Sequence, residues 1–307
     1  MKKSIFKILA FLTILFVLFQ AVSYFFIPNK SNLFKFGYYN KTKYDLLNEE
    51  DNTIDVIFLG DSLVYNGISP MYIWNEYGYT SYDCAVPAAT SKEIYNYAKV
   101  IVESQKPKLV FVEGDVLFRK MNSTRAYKYK FLDLKKHFPL FIFHNNWKQL
   151  GKDEWINPYK GFKYSSKVKG PERKRNMKKT NKSSKIEPIN AEYYEKMIKL
   201  FKDNGIEVIM IENPTITWNY KKHNSVEKFA LKNNIETIDL NLEDLKIDWA
   251  KETKDKGVHM NYLGARKVTK YFAEYIKEKN VVEDHRNDSK YDSWHKAYEI
   301  YKNRLLN

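Results

Sequence analysis

The 307-residue chain carries 52 lysines and arginines against 37 aspartates and glutamates, which gives a formal net charge of +15. So basic a surface favours a polyanionic partner, such as nucleic acid, an anionic envelope polymer or an anionic lipid surface, without choosing among them. The single cysteine, Cys84, excludes an intrachain disulfide, and no CxxC, HExxH or clustered Cys/His pattern indicates a structural zinc site.

The N-terminus predicts a membrane helix. Lys2 and Lys3 precede a run that is apolar, except for Lys7, from Ile5 to Ile27, and these 23 residues exceed the ~20 that cross a bilayer. A cleaved signal peptide is the rival interpretation, with a weak small-residue site at 21–23, but the run is longer than the apolar region of such peptides. We therefore expect an uncleaved signal-anchor over residues 1–30, with the rest of the chain exported.

After residue 54 the pattern alternates apolar strands with amphipathic helices. This alternation predicts an α/β domain, residues 31–307, with a parallel sheet covered on both faces. The predicted strands are 55–60, 80–86, 107–114, 206–214 and 235–241, and the predicted helices are 70–78, 91–105, 190–205, 225–234 and 262–279.

One segment, at about residues 119–188, interrupts the alternation. Its aromatic-rich first part, residues 129–151, can pack, whereas residues 169–185 are rich in Lys, Arg, Ser and Asn and nearly free of apolar residues. We interpret the segment as an insertion, a helical cap followed by a mobile basic loop. The basic run fits a solvated loop and a polyanion-binding loop equally well.

Polar residues follow several predicted strands. Ser62 comes after the first strand, Glu113 and Asp115 after the third, and Asn213 after the fourth. Because ligands of such sheets bind beyond the carboxyl ends of the strands, we expect these residues to gather at one edge.

A serine at a strand end needs a base to act as a nucleophile. Gly60-Asp61-Ser62 alone fits an ordinary turn, but His259 lies late in the chain, just before the last predicted helix, where its loop can reach the same sheet edge. Asp255 is four residues upstream, so its carboxylate can orient the imidazole and stabilise the imidazolium. The predicted catalytic order is Ser62, Asp255, His259.

The stretch FLGDSL at 58–63, together with the late Asp and His before a terminal helix, resembles the SGNH (GDSL) hydrolase family. The resemblance implies a flavodoxin-like three-layer α/β/α fold, a Ser–His–Asp triad and ester hydrolysis or acyl transfer, with no cofactor and no metal. Matched residue by residue, Ser62 is the nucleophile, His259 the base and Asp255 the orienting acid. Asp61 takes a structural, site-lining role.

The terminal block departs from the family pattern in spacing. The family usually carries Asp-x-x-His, but position 256 here is Lys, so Asp255 stands one residue further from His259. Glu252 is the less favoured substitute for Asp255.

The oxyanion hole also departs from the family pattern. Ala88 stands where the second block supplies a glycine, so its N–H would join that of Ser62 as a donor. The third block reads Gly114-Asp115 and lacks the family's asparagine, and loss of one oxyanion donor costs ~10²–10³ in rate. Asp115 would line the site, bind a substrate hydroxyl or hold a loop, and Asn213 is a further site-lining candidate.

The layout resembles the membrane-anchored, cell-envelope branch of the family. That resemblance implies an extracytoplasmic esterase or O-acyltransferase in a Gram-positive-like bacterium, acting on acyl esters of a surface polysaccharide or teichoic acid. A membrane-bound O-acyltransferase is the expected partner. The alternative is a non-catalytic, membrane-tethered binding or accessory protein for envelope polymers. Nucleic-acid binding lacks any zinc-finger, RRM or helix-turn-helix signature and is not expected.

Overall fold

The structure, a computed structural model, describes residues 2–25, 46–47, 49–135 and 157–306. The chain separates into two compact units, one formed by Met1–Asn40 and Asn122–Trp155, the other by Lys41–Met121 and Ile156–Asn307. In chain order the helices and strands are α1 (Lys2–Phe25), β1 (Val56–Gly60), α2 (Ser62–Gly67), α3 (Pro70–Tyr77), β2 (Ser81–Ala85), α4 (Ser91–Ser104), β3 (Leu109–Glu113), α5 (Ser123–Lys135), α6 (Pro188–Asp203), β4 (Glu207–Glu212), α7 (Tyr220–Lys232), β5 (Glu236–Asp239), β6 (Thr253–Lys254), β7 (His259–Met260), α8 (Tyr262–Lys279) and α9 (Asp292–Leu306).

The smaller unit contributes two described helices, α1 and α5. Within α1, Ser4–Ser23 has a mean hydropathy of 2.4 and is long and apolar enough to cross a membrane, a property that signal sequences share. Helix α5 falls inside the predicted insertion, whereas the aromatic stretch at 136–156 lies outside the described residues.

The larger unit is built on a five-stranded parallel sheet of order β2-β1-β3-β4-β5. This is the flavodoxin-like strand order. Strands β1, β2 and β3 are buried along their whole length, and β1 and β3 read as nearly continuous apolar runs, as a sheet covered on both faces requires. The five strands fall within the segments predicted from the sequence.

Helices cover both faces of this sheet. The chain steps from β1 outward to β2 through α2 and α3, then returns through α4 to β3 and continues to β4 and β5. Because parallel crossovers are right-handed, this reversal places α2 and α3 on one face and α4, α6 and α7 on the other. On the first face Phe272 of α8 packs against Phe58 and Phe111, with ring centroids 5.5 and 5.2 Å apart. The predicted three-layer α/β/α architecture is confirmed.

One shifted helix start and one additional helix depart from the prediction. Helix α7 begins at Tyr220 instead of 225, because the Asn219 side chain accepts hydrogen bonds from the N–H groups of Lys221 and Lys222 and caps the helix earlier. The terminal helix α9 was not predicted. It packs on α3 through Trp294, whose ring centroid lies 5.5 Å from that of Trp74.

The basic stretch of the predicted insertion is irregular but is held against the larger unit. Lys169 N–H donates to Thr253 O at 2.9 Å, and Ser184 N–H donates to Lys221 O at 3.0 Å. The sequence predicted a mobile loop here; these backbone bonds fix both ends of the run instead. Apolar residues were not needed to order it, because the loops at the carboxyl edge of the sheet supply the hydrogen-bond partners.

Candidate active site

Ser62 is the first residue of α2, directly beyond the carboxyl end of β1. Gly60 ends the strand where space is tightest: a Cβ there would lie 2.7 Å from Cβ of Glu113 and 2.7 Å from Cγ2 of Val64. Asp61 caps the helix, since its carboxylate accepts the Leu63 N–H at 2.8 Å. The Gly-Asp-Ser sequence therefore makes a sharp strand-to-helix turn with the serine at its corner.

A short hairpin brings the predicted base and acid to this corner. Strands β6 and β7 pair antiparallel, with Lys254 opposite His259. His259 Nε2 lies 2.9 Å from Ser62 Oγ, and His259 Nδ1 lies 3.0 Å from Asp255 Oδ2. When Nδ1–H donates to the carboxylate, Nε2 is free to accept the serine hydroxyl proton. The structure thus assembles the three predicted residues into a hydrogen-bonded chain.

A left-handed turn accommodates the extra residue between acid and base. Asp255, Lys256 and Gly257 have φ values of 55°, 62° and 84°. Left-handed backbone is costly for residues other than glycine, at ~1–2 kcal/mol each, although aspartate tolerates it better than most. The turn returns the Asp255 carboxylate to the imidazole across the four-residue spacing.

The electrostatic setting favours a neutral imidazole. Burial lowers the pKa of His259 below its usual value, and the hydrogen bond and charge of Asp255 only partly oppose this effect. The Asp255 side chain is 61% exposed, so water screens its charge. The lowered pKa favours the unprotonated imidazole, the form that acts as a base, at neutral pH.

Arg119 links the turns that follow β1 and β2, and the sequence analysis did not identify it. Its guanidinium pairs with the Asp61 carboxylate and donates to Ala89 O at 2.8 Å. Burial would lower the pKa of Arg119, but the charges of Asp61 and Glu113 outweigh burial and raise it, so the cation persists. One guanidinium thereby fixes the residue before Ser62 and the residue after Ala88.

Two backbone N–H groups are candidate oxyanion donors. Ala88 is exposed and has a φ of 48°, the left-handed conformation that suits the glycine expected there. Its turn adjoins β1, because Val86 N–H donates to Gly60 O at 3.1 Å. Among the described residues, no acceptor binds the N–H of Ala88 or of Ser62. Both donors are thus available to a substrate oxygen.

The ends of β3 and β4 carry acidic residues where an asparagine was sought. Glu113 and Glu212 are buried, and burial raises the pKa of each well above its usual value, with the charge of the nearest carboxylate adding to the effect. Asp115 pairs with Lys222 at 2.6 Å and with Arg119 at 3.8 Å. Two cations therefore lie against its carboxylate in the loop that follows β3.

Asn213 does not join the Ser62–His259 pair. The side chain is buried beside Gly67 at the end of α2, where a Cβ on the glycine would lie 3.6 Å from Asn213 Cγ. Neither atom of its amide has a hydrogen-bond partner among the described residues. Among all the residues that the structure describes, no group of three His, Cys, Asp or Glu side chains could hold a metal ion.

No protein-family profile matches the chain. No curated protein matches it either. The fold is similar to that of several solved structures. One described as an acylhydrolase from Bacteroides fragilis shares 15% identity at a TM-score of 0.43, covering 78% of this chain and 97% of its own. A lipase/acylhydrolase from Enterococcus faecalis shares 14% identity at a TM-score of 0.41, and the match covers 75% of this chain and 98% of that chain. A structure described as an SGNH hydrolase from Slackia heliotrinireducens shares 11% identity at a TM-score of 0.43, and the match covers 73% of this chain and 100% of that chain.

Proposed function

We propose that the protein is a serine hydrolase of the SGNH type that cleaves acyl esters through Ser62, His259 and Asp255. One observation carries the proposal: the Ser62 Oγ to His259 Nε2 separation of 2.9 Å, continued to Asp255 at 3.0 Å. These are the contacts that activate a serine nucleophile. The pair is formed by residues 197 positions apart, so local chain geometry does not account for it.

In the first half-reaction, Ser62 Oγ attacks the ester carbonyl carbon while its proton passes to His259 Nε2. The carbonyl oxygen becomes an oxyanion facing the N–H groups of Ser62 and Ala88. The tetrahedral intermediate collapses, the C–O bond to the alcohol breaks, and His259 returns the proton to the departing oxygen. Asp255 stabilises the imidazolium between these two transfers.

In the second half-reaction, His259 takes a proton from water and the hydroxide oxygen attacks the acyl-Ser62 carbonyl. Collapse releases the carboxylic acid, and the proton returns to Ser62. A sugar or polyol hydroxyl in place of water gives acyl transfer by the same steps. The proposal includes acyl transfer as well as hydrolysis, because His259 would deprotonate either acceptor, water or a hydroxyl group.

The proposed substrate is an acyl ester on a cell-surface polysaccharide or teichoic acid. Two features support it: the apolar helix over Ser4–Ser23 and the net charge of +15. We propose that this helix is an uncleaved anchor that leaves the larger unit outside the membrane, beside a membrane-bound O-acyltransferase. Protease added to intact cells should then digest the larger unit; protection in intact cells and digestion only after lysis would contradict this topology.

Covalent labelling tests the catalytic assignment. A fluorophosphonate probe should label the wild-type protein, and Ser62→Ala should abolish labelling. Ser69→Ala offers a control, since Ser69 is another serine near α2, buried, with its hydroxyl 2.9 Å from the Tyr301 hydroxyl. Equal labelling of wild type and Ser62→Ala would remove Ser62 as the nucleophile.

A second candidate function is a non-catalytic, membrane-tethered protein that binds or presents an envelope polymer. The observation that favours it is the end of β3, where Gly114 and Asp115 provide no side-chain amide for an oxyanion. Genetic complementation separates the two. Full complementation of a deletion strain by Ser62→Ala would favour the binding function, whereas failure of that variant at normal abundance would favour the enzyme.

A further inference from the structure

A cavity of about 750 Å³ lies beside the candidate active site, between the basic stretch and the loop that leads into α7. No aspartate or glutamate lines it. Six of the lining side chains are cationic: Arg173, Lys174, Lys178, Lys179, Lys182 and Lys221.

No carboxylate in the described part of the chain neutralises these six charges. Within the described ranges, none of the six forms an ion pair with a carboxylate. The nearby Glu172 pairs with Lys256 at 2.8 Å and so turns its charge toward the catalytic turn. A concave surface of one sign concentrates the field and attracts anions.

The basic stretch, which forms the cationic side of the cavity, is held in place by the protein before any ligand binds. Arg175 donates to Asn241 O, and its guanidinium lies 5.0 Å from the Trp249 ring centroid. Toward the C-terminal end of the basic stretch, Asn224 Nδ2 donates to Thr180 O at 2.6 Å and to Lys182 O at 2.8 Å. Preorganisation of this kind lowers the entropic cost of binding.

One of the loops that line the cavity is hydrogen-bonded to the catalytic turn. Ile216, which lines it, donates its N–H to Gly257 O at 3.0 Å. Gly257 follows Asp255 and Lys256 in the left-handed turn that positions the acid. The loop that lines one side of the cavity is therefore held against the turn that precedes His259.

We propose that this cavity is the subsite for an extended polyanionic chain, a polymer with repeated phosphate or carboxylate groups whose acyl esters reach Ser62. The inference rests on the proposed function, because it names the class of polymer that the site would process. Six cations exceed the need of one small anion, and a concave cavity does not fit a flat membrane surface.

Nucleic acid fits the cavity less well than a simple polyanion. Proteins that bind single strands stack bases on exposed aromatic rings. Trp218 lines the cavity but is only 2% exposed, and the Tyr220 ring is engaged edge-on with His223 at 5.1 Å. The cavity therefore offers charge for a polymer backbone without a platform for bases.

The test is binding to full-length Ser62→Ala protein in neutral detergent, so that binding does not depend on turnover. The probes are an oligo(glycerol phosphate) and an oligogalacturonate of about ten charges each, single-stranded DNA of equal charge, and neutral dextran. In the same background, Lys174→Gln/Lys178→Gln/Lys182→Gln removes three exposed cavity charges. The matched control, Lys106→Gln/Lys277→Gln/Lys290→Gln, removes three exposed charges outside the cavity.

We expect either oligoanion to bind and dextran not to bind, with the better oligoanion identifying the anionic group. The cavity variant should lose at least about tenfold in affinity at low salt and reduce the slope of log affinity against log salt by about 2. The control should change affinity less than twofold. Equal losses in both variants, or tighter binding of DNA than of either oligoanion, would overturn the inference.

Failure of this inference is distinguishable from failure of the proposed function. Fluorophosphonate labelling of wild type without lysine-dependent polymer binding would leave the hydrolase and remove the subsite. Lysine-dependent binding without labelling would leave a polyanion-binding cavity and remove the hydrolase. Unfolding measurements on both triple variants verify the fold, since substitutions of exposed lysines usually change stability little.

Discussion

The carboxyl edge of the sheet has two halves that handle polar groups in opposite ways. Around the end of β1, Ser62 and Asp61 each have a defined partner, His259 and Arg119 respectively. At the ends of β3 and β4, Glu113 and Glu212 each bury one carboxyl oxygen without a partner among the described residues. The first half is preorganised for proton transfer, whereas in the second, burial raises the pKa values of Glu113 and Glu212. In the proposed mechanism the oxyanion is therefore assigned to backbone N–H groups on the β1 and β2 side.

The largest effect is expected from a substitution in the half of the sheet edge around the end of β1. His259→Ala removes the base and should lower the labelling rate and esterase kcat/KM by ~10⁴-fold or more. His223→Ala is a matched control, because His223 Nδ1 also lies 3.0 Å from a carboxylate, that of Asp239, but no serine among the described residues is hydrogen-bonded to its ring. A similar loss in the control would show that any His–Asp pair at this edge matters and would contradict the assignment.

A smaller loss is expected from Asp255→Asn. Water can partly replace a carboxylate that is 61% exposed, so we expect a decrease of about 10²-fold in kcat. Asp255 raises the pKa of His259 against the effect of burial, so its loss lowers that pKa further. The acid limb of the kcat/KM–pH profile should therefore move to lower pH, which is measurable with a neutral ester substrate. An unchanged acid limb would show that Asp255 does not influence the pKa of His259.

The third prediction addresses the acidic half through stability. Burial raises the pKa of Glu212, so the protonated carboxyl is favoured in the folded state and folding loses stability as pH rises above the pKa of the unfolded chain. Glu212→Gln removes this loss. Relative to wild type, the free energy of unfolding of the variant should therefore increase as the pH rises above the usual pKa of a glutamate, by up to ~1.4 kcal/mol for each pH unit. Exposed Glu192→Gln is the control and should show no such trend.

The smallest effect is expected at Ala88. Glycine relieves the left-handed strain at a φ of 48° and keeps the N–H, so Ala88→Gly should stabilise by a few tenths to ~1 kcal/mol and change kcat less than about threefold. Ala98→Gly, inside α4, should instead destabilise by at least ~1 kcal/mol. A large fall in kcat with retained stability in Ala88→Gly would indicate that the methyl group itself contacts the substrate.

The strands and the triad could be predicted because their signals are local or carried by a motif. Apolar runs such as Val56–Leu59 identify buried strands, and Gly60-Asp61-Ser62 with a late Asp and His identifies a serine site. Arg119 could not be found in this way, because its partners Asp61 and Ala89 are 58 and 30 residues distant and meet only in the folded sheet. The early start of α7 at Tyr220 was missed for a local reason: the Asn219 cap is followed by several polar residues without helical periodicity.

The distance in sequence between Ser62 and His259 also sets when the site can exist. A chain that emerges N-terminus first, from a ribosome or through a translocation channel, exposes its serine 197 residues before its base. At ~5–20 residues per second that interval is roughly 10–40 s, during which the serine has no partner to activate it. Reactivity is therefore postponed until the hairpin of β6 and β7 has joined the sheet, and the nascent chain is inert toward esters around it.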